Sequence, residues 1–247
     1  MPFKRSHKFL IISAVFIIVV MVFLLLSRKA QINPVTGEEQ QITLTPDQEI
    51  TLGIESAPQL AIQFGGIYQK DHADEKIKSI GRILVSSSDI AKSPYQFDFH
   101  VLADSHTVDA FALPGGQIFL TLGLYKKLKT NDEIAVILSH QIGHIIGRHA
   151  SEKLFKSSVF EGISTQDTIL VKDFSPRMIS KYLSDLITLN YDEEEENEAD
   201  HLGIGYATQA GFNPDSFSKE FFKEKNSNKK SQLFFDKHCG FLKRKRN

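Results

Sequence analysis

Between Phe9 and Leu26 the chain runs through 18 residues that are apolar except for Ser13. As a helix this stretch would be about 27 Å long, just enough to cross a hydrocarbon core. Lys4, Arg5 and Lys8 precede it, and Leu24, Leu25 and Leu26 lead directly into Ser27, Arg28 and Lys29 with no small-x-small cleavage pattern. The sequence therefore favours an uncleaved signal anchor over 9–26, with a cleaved signal peptide and a buried soluble helix as the alternatives. The flanking charge bias is small. It favours residues 1–8 in the cytoplasm and the body of the protein on the far side of an inner, cytoplasmic membrane, facing the periplasm.

The single cysteine, Cys239, excludes an internal disulfide framework and any site built from several thiolates, and no cysteine follows the apolar run to take a lipid. A metal in this chain would need histidine and carboxylate ligands. The net charge of −1 conceals a segregation. From Lys219 to the end there are 10 Lys/Arg against 3 Asp/Glu, which leaves 19 against 27 in the rest. The body is acidic and the tail basic.

Residues 27–44 read as a linker. Thr45, Pro46, Asp47 and Gln48 form a capping-box pattern with proline at the first helical position, which predicts a helix start. A second helix is expected over Asp74 to Ser86. Strands are expected over Tyr95 to Leu102 and, after the Pro114-Gly115-Gly116 turn, over Gln117 to Leu122. Thr130 to Glu133 repeats the capping box, and Ile134, Ile137, Leu138, Ile142, Ile145 and Ile146 recur at helical spacing after it, predicting one long helix to about Leu154. Further helices are expected over Ser180 to Leu189, Asp192 to Ala210 and Pro214 to Lys225, the last two separated at Gly211-Phe212-Asn213.

The long helix carries His140-Gln141-Ile142-Gly143-His144. Histidines four apart lie one turn from each other on the same face, so both imidazoles can reach one tetrahedral ion. The pattern departs from HExxH at one place, because Gln141 occupies the general-base position. His149 sits one residue short of the metzincin third-ligand position, where this chain has Ala150, and is expected to be an exposed helix residue. The better third ligand lies in Glu196-Asn197-Glu198-Ala199-Asp200. Glu196 and Asp200 share a helix face, so one carboxylate can bind a metal while the other supports a ligand histidine. Glu193, Glu194 and Glu195 read as a solvated acidic face.

Several stretches, in order, resemble the zinc metallopeptidases of peptidase family 48. They are Asn33-Pro34-Val35-Thr36-Gly37, Asp47 to Gly53, Val108 to Gly116, the HQxxH helix, Glu196-x-x-Ala199-Asp200 and Ala210-Gly211-Phe212-Asn213-Pro214. The resemblance covers Asn33 to about Ser216. It implies an α+β, mostly helical gluzincin-type domain over 45–225 with a small sheet, preceded by one N-terminal transmembrane helix. It also implies one zinc ion held by His140, His144 and Glu196, with Asp200 behind them, and a sheet edge that takes an extended substrate peptide by strand addition. Gln117 to Leu122 is the strand expected to supply that edge.

Three departures accompany the resemblance. Asp109 stands where asparagine is usual. The chain ends in a basic stretch, 226–247, in place of the family's usual final helix. Gln141 replaces the glutamate that takes a proton from the attacking water and delivers it toward the leaving amine. A glutamine can hydrogen-bond to that water but cannot serve as a base at pH 7, and general-base catalysis is worth about 10² to 10⁴ in rate. The changed C-terminal ending favours natural degeneration of the site over deliberate substitution. The sequence thus implies a metalloendopeptidase domain, a hydrolase acting in proteolysis and envelope protein quality control, with turnover weakened or lost. The alternative is a zinc-binding pseudoprotease that serves as a peptide-binding adaptor or chaperone. A third reading gives the clusters Lys229-Lys230 and Lys243 to Arg246 a role in contacting nucleic acid or anionic lipid. Solvated charge near a chain end is the commoner case, and nucleic acid is not an expected partner.

Overall fold

The computed structural model describes residues 13–18, 31–42, 44–156, 174–188 and 190–215. Within the apolar stretch, 13–18 are helical with Val15, Phe16, Ile17 and Ile18 exposed; the remainder of the expected anchor lies outside the described residues. Among the described residues no helix is long and apolar enough to cross a membrane. The helix expected from Pro214 to Lys225 and the basic tail also lie outside them, apart from residues 214 and 215.

The architecture is α+β and mostly helical. A short hairpin, β1 (Gln31–Ile32) and β2 (Glu39–Gln40), precedes helices α1 (Pro46–Gln63) and α2 (Ala73–Ser86). Strands β3 (Asp98–Leu102), β4 (Ala110–Ala112) and β5 (Gln117–Thr121) follow. The helices α3 (Leu122–Tyr125), α4 (Asn131–Ile146), α5 (His149–Lys156), α6 (Pro176–Thr188) and α7 (Glu193–Gln209) follow among the described residues. Both expected capping boxes form. Thr45 and Thr130 accept from the backbone N–H groups of Gln48 and Glu133, and those two side chains accept in turn from the cap backbones. A third closes at the start of α7, where Asp192 accepts from Glu195 N–H. That box corrects one expectation: Glu193 and Glu194 are exposed, but Glu195 is buried and pairs with Lys153 at 2.7 Å.

The sheet order is β3-β5-β4, with β5 parallel to β3 and antiparallel to β4. This corrects a second expectation. Gln117–Thr121 is the central strand and cannot offer an edge, because both of its sides are already paired. The edge on the side of the sequence motif Val108 to Gly116 belongs to β4. Leu113 N–H donates to Gln117 O, and Thr121 N–H donates to Asp109 O, which turns the N–H and C=O groups of Ala110 and Ala112 away from β5. Helices cover both faces of the sheet, so β4 and Ile118 to Thr121 of β5 are buried throughout, whereas β3 alternates the half-buried Asp98 and His100 with the buried Phe99 and Val101. Val101, Ile118 and Leu120 pack with Ile77 and Leu84 of α2 and Ile134, Leu138 and Ile142 of α4. Leu102, Phe111 and Phe119 pack with Leu52 and Leu60 of α1 and Leu183 and Leu186 of α6.

The stretch 31–42, read as linker, docks on the C-terminal end of α4. Asn33 Nδ2 donates to Ile146 O at 2.7 Å, and Gln40 Nε2 donates to Gly147 O at 2.6 Å. These are carbonyls that a helix end leaves without intrahelical partners. The single helix expected from Thr130 to Leu154 is interrupted here: Arg148 adopts a left-handed φ of 60°, and α5 leaves in a new direction. A buried ion pair holds the turn. Arg148 Nε lies 3.1 Å from both carboxylate oxygens of Glu49 on α1, Arg148 Nη2 donates to Leu44 O at 2.7 Å, and Tyr95 Oη donates to Glu49 at 3.1 Å. Burial pushes the Glu49 carboxyl up, and the Arg148 guanidinium opposes that shift.

Helices α4 and α7 approach closely at two glycines. A Cβ on Gly143 would lie 2.4 Å from Ala199 O, and one on Gly203 would lie 2.9 Å from His140 Cα. Two stability measurements check this packing. Gly143→Ala drives an atom into backbone and should destabilise the protein by about 1–3 kcal/mol. Gly205→Ala, on α7 two residues after Gly203 but with open space at its Cβ, should stabilise it by about 0.5–1 kcal/mol. Removing the charge partner in Glu49→Ala leaves Arg148 buried and unpaired and should cost about 3–5 kcal/mol in denaturant unfolding.

Candidate metal centre

The contact between α4 and α7 brings together the four side chains that the sequence singled out as a site. His140 and His144 present their Nε2 atoms to each other at 3.0 Å. Glu196 sits against both, with Oε2 3.5 Å from His140 Nε2 and Oε1 3.5 Å from His144 Nε2. All three side chains are buried, and their ligand-type atoms lie within 4.8 Å of one another. Ligands at about 2.0–2.1 Å around a tetrahedral zinc ion stand about 3.3–3.4 Å apart, so spacings of 3.0–3.5 Å fit that ion closely. Two neutral imidazoles and one carboxylate are also the donor set that zinc accepts in sites with an open fourth position.

Asp200, one turn after Glu196 on α7, reaches His140 from behind: His140 Nδ1 lies 2.8 Å from Asp200 Oδ1. A carboxylate can only accept, so Nδ1 carries the hydrogen and Nε2 turns its lone pair toward the cluster. Burial alone would lower the pKa of His140, but the hydrogen bond and charge of Asp200 and the charge of Glu196 outweigh it, so the imidazole is held above its ordinary value. In this site zinc and a proton compete for the same nitrogen.

Gln141 is buried beside the pair, and its amide nitrogen has no hydrogen-bond partner among the described residues. The expectation for His149 is overturned. It is only 1% exposed, and its Nδ1 lies 2.8 Å from His144 Nδ1. The left-handed turn at Arg148 folds it back onto α4, a bend that the heptad-like apolar pattern through Ile145 and Ile146 does not announce.

Tyr191, which no sequence motif marks, completes the surroundings of His144. Its ring stacks on His144 with centroids 4.1 Å apart and planes 21° from parallel, and burial keeps its phenol pKa well above the ordinary value. The available signal was its place immediately before the Asp192 cap, where apolar residues commonly fold back over the first helical turns. A small cavity beside His144 is lined by Ala112 and Pro114 at the end of the sheet, by Tyr191, and by Glu49 and Arg148. The outward edge of β4 therefore ends next to the histidine pair.

The chain is similar to several known proteases. The chain is 26% identical over 190 residues to the beta-barrel assembly-enhancing protease of Yersinia pestis, covering 73% of this chain and 38% of that protein. It is 30% identical over 124 residues to the mitochondrial metalloendopeptidase OMA1 of Schizosaccharomyces pombe, covering 50% of this chain and 36% of that protein. With OMA1 of Arabidopsis thaliana it shares 29% identity over 107 residues, 43% of this chain and 21% of the relative. The chain thus spans less than two fifths of the length of these relatives. Residues 71–244 match peptidase family M48, a match that includes the helices α4 and α7 and continues into the basic tail. On that match, which covers more than half of the sequence, the chain belongs to peptidase family M48.

Proposed function

We propose that this chain holds one zinc ion between His140, His144 and Glu196, with Asp200 orienting His140, as the metal centre of a metalloendopeptidase domain. The observation that carries the reading is the buried His-His-Glu cluster at zinc-compatible spacing in a chain of a metallopeptidase family. When bound, zinc supplies Lewis acidity, polarising a peptide carbonyl and lowering the pKa of a coordinated water to about 7.

The chain's own residues supply the rest. An extended protein or peptide substrate pairs with the outward N–H and C=O groups of Ala112 and the C=O of Ala110 on β4, the Ala110 N–H already donating to Asp109 Oδ1 at 2.9 Å, and so passes beside His144. Gln141 stands at the general-base position. Its amide can orient a water but cannot remove a proton, so turnover is weakened or lost. The protein works in proteolysis and envelope protein quality control, with the apolar stretch 9–26 as a single inner-membrane anchor and the domain facing the periplasm. Similarity to a beta-barrel assembly-enhancing protease and to a mitochondrial metalloendopeptidase supports a setting of this kind.

Gln141 also supports a second reading, a pseudoprotease that holds extended peptides as an adaptor or chaperone without cutting them. Casein cleavage by the zinc-loaded full chain and by Gln141→Glu separates the two. The peptidase reading predicts slow, chelator-sensitive cleavage by the native chain, rising by about 10² to 10⁴ in Gln141→Glu. No cleavage by the native chain, with cleavage by Gln141→Glu, identifies the pseudoprotease. No cleavage by either folded, zinc-loaded form contradicts the peptidase reading.

A further inference from the structure

We infer that His149 and Glu198 are positioning residues, which set the orientation and hydrogen placement of His144 so that its Nε2 lone pair faces the cluster. The inference rests on the reading of His140, His144 and Glu196 as zinc ligands. Its own basis is a chain of contacts behind His144. His144 Nδ1 lies 2.8 Å from His149 Nδ1, and His149 Nε2 lies 3.2 Å from Glu198 Oε2.

Only two placements of hydrogen satisfy the Nδ1–Nδ1 contact with neutral rings. If His149 donates, His144 must carry its hydrogen on Nε2, pointing into the cluster and closing it to a cation. His149 Nε2 would then turn a lone pair toward the Glu198 carboxylate, two acceptors face to face. If His144 donates, His149 carries its hydrogen on Nε2 and donates it to Glu198, and His144 Nε2 is left with its lone pair toward His140 and Glu196. Every contact behind His144 then joins a donor to an acceptor, and the two Nε2 lone pairs left facing each other at 3.0 Å are the arrangement that a shared cation requires. The Glu198 carboxylate selects this second arrangement, because it can only accept.

The surrounding structure is shaped to hold the His149 ring in place. A Cβ on Gly147 would lie 2.4 Å from His149 Nε2, so the absence of a side chain there makes room for the imidazole. Arg148, at φ 60° and tied to Glu49, turns the backbone that carries His149 back against α4. Each histidine of the pair thus ends on a carboxylate of α7: His140 directly on Asp200, and His144 through His149 on Glu198. Such supporting partners are worth about 10- to 100-fold in metal affinity.

The test is zinc affinity of the full chain by competition with a chromophoric chelator, with the visible spectrum of the Co²⁺-substituted protein as the second readout. His149→Phe keeps a ring and removes the hydrogen bonds. It should weaken zinc binding by about 10- to 100-fold and shift the Co²⁺ bands. Glu198→Ala should weaken binding in the same direction by a smaller factor, since solvent reaches that carboxylate, whereas Glu198→Gln, whose amide oxygen still accepts from His149, should restore it. Affinities within about twofold of native and unchanged Co²⁺ spectra in both His149→Phe and Glu198→Ala would overturn the inference while leaving the zinc site intact. Should His149→Phe not fold, Glu198→Ala against Glu198→Gln decides alone, by loss and rescue or by no change. Failure of the native chain to bind zinc would overturn the zinc reading and this inference with it.

Discussion

The site depends on how closely α4 and α7 can approach. Two glycines, Gly143 facing Ala199 and Gly203 facing His140, let the helix backbones come nearly into contact. At that separation Glu196 and Asp200 reach the two histidines without any loop in between. Side chains on rigid helices keep a ligand geometry more closely than side chains on loops, and buried imidazoles and carboxylates are tolerated here because each one answers another. Any residue larger than glycine at the crossing would move the carboxylates of α7 away from the imidazoles of α4, and the cluster would open.

A second constraint lies at the end of α4. The hairpin side chains Asn33 and Gln40 take up the carbonyls of Ile146 and Gly147, and the Glu49–Arg148 pair fixes the left-handed residue that follows. The hairpin, helix α1 and helix α4 are thereby tied together around one bend. That bend delivers His149 to the back of His144. The ion pair is expensive to bury, and its geometric role explains its presence better than any gain in stability does.

Much of this was legible from local sequence because local rules governed it. The capping boxes at Thr45 and Thr130 form as read, since they need only residues three apart. The His140–His144 pair and the Glu196–Asp200 pair fall on shared faces for the same reason. Contacts between distant segments were not legible. Glu49 and Arg148 are 99 residues apart and gave no sign of pairing. A helical period running straight through Gly147 and Arg148 puts His149 on the surface, whereas the left-handed residue between the two helices turns it inward. Strand β4, three residues of Ala-Phe-Ala, is too short to show a period, and without it Gln117–Thr121 looked like an edge when it is the centre of the sheet. Glu195 looked like part of an acidic surface run, but its cap to Asp192 and pairing with Lys153 draw it inside.

The most direct measurement of the central claim is zinc K-edge X-ray absorption on the full chain. The account predicts a first shell of nitrogen and oxygen only, at about 2.0–2.2 Å, with two imidazoles visible in the outer-shell scattering. A sulfur scatterer at about 2.3 Å would place the metal at Cys239, and a shell without imidazole would place it away from α4. Either result would contradict the assignment of His140, His144 and Glu196.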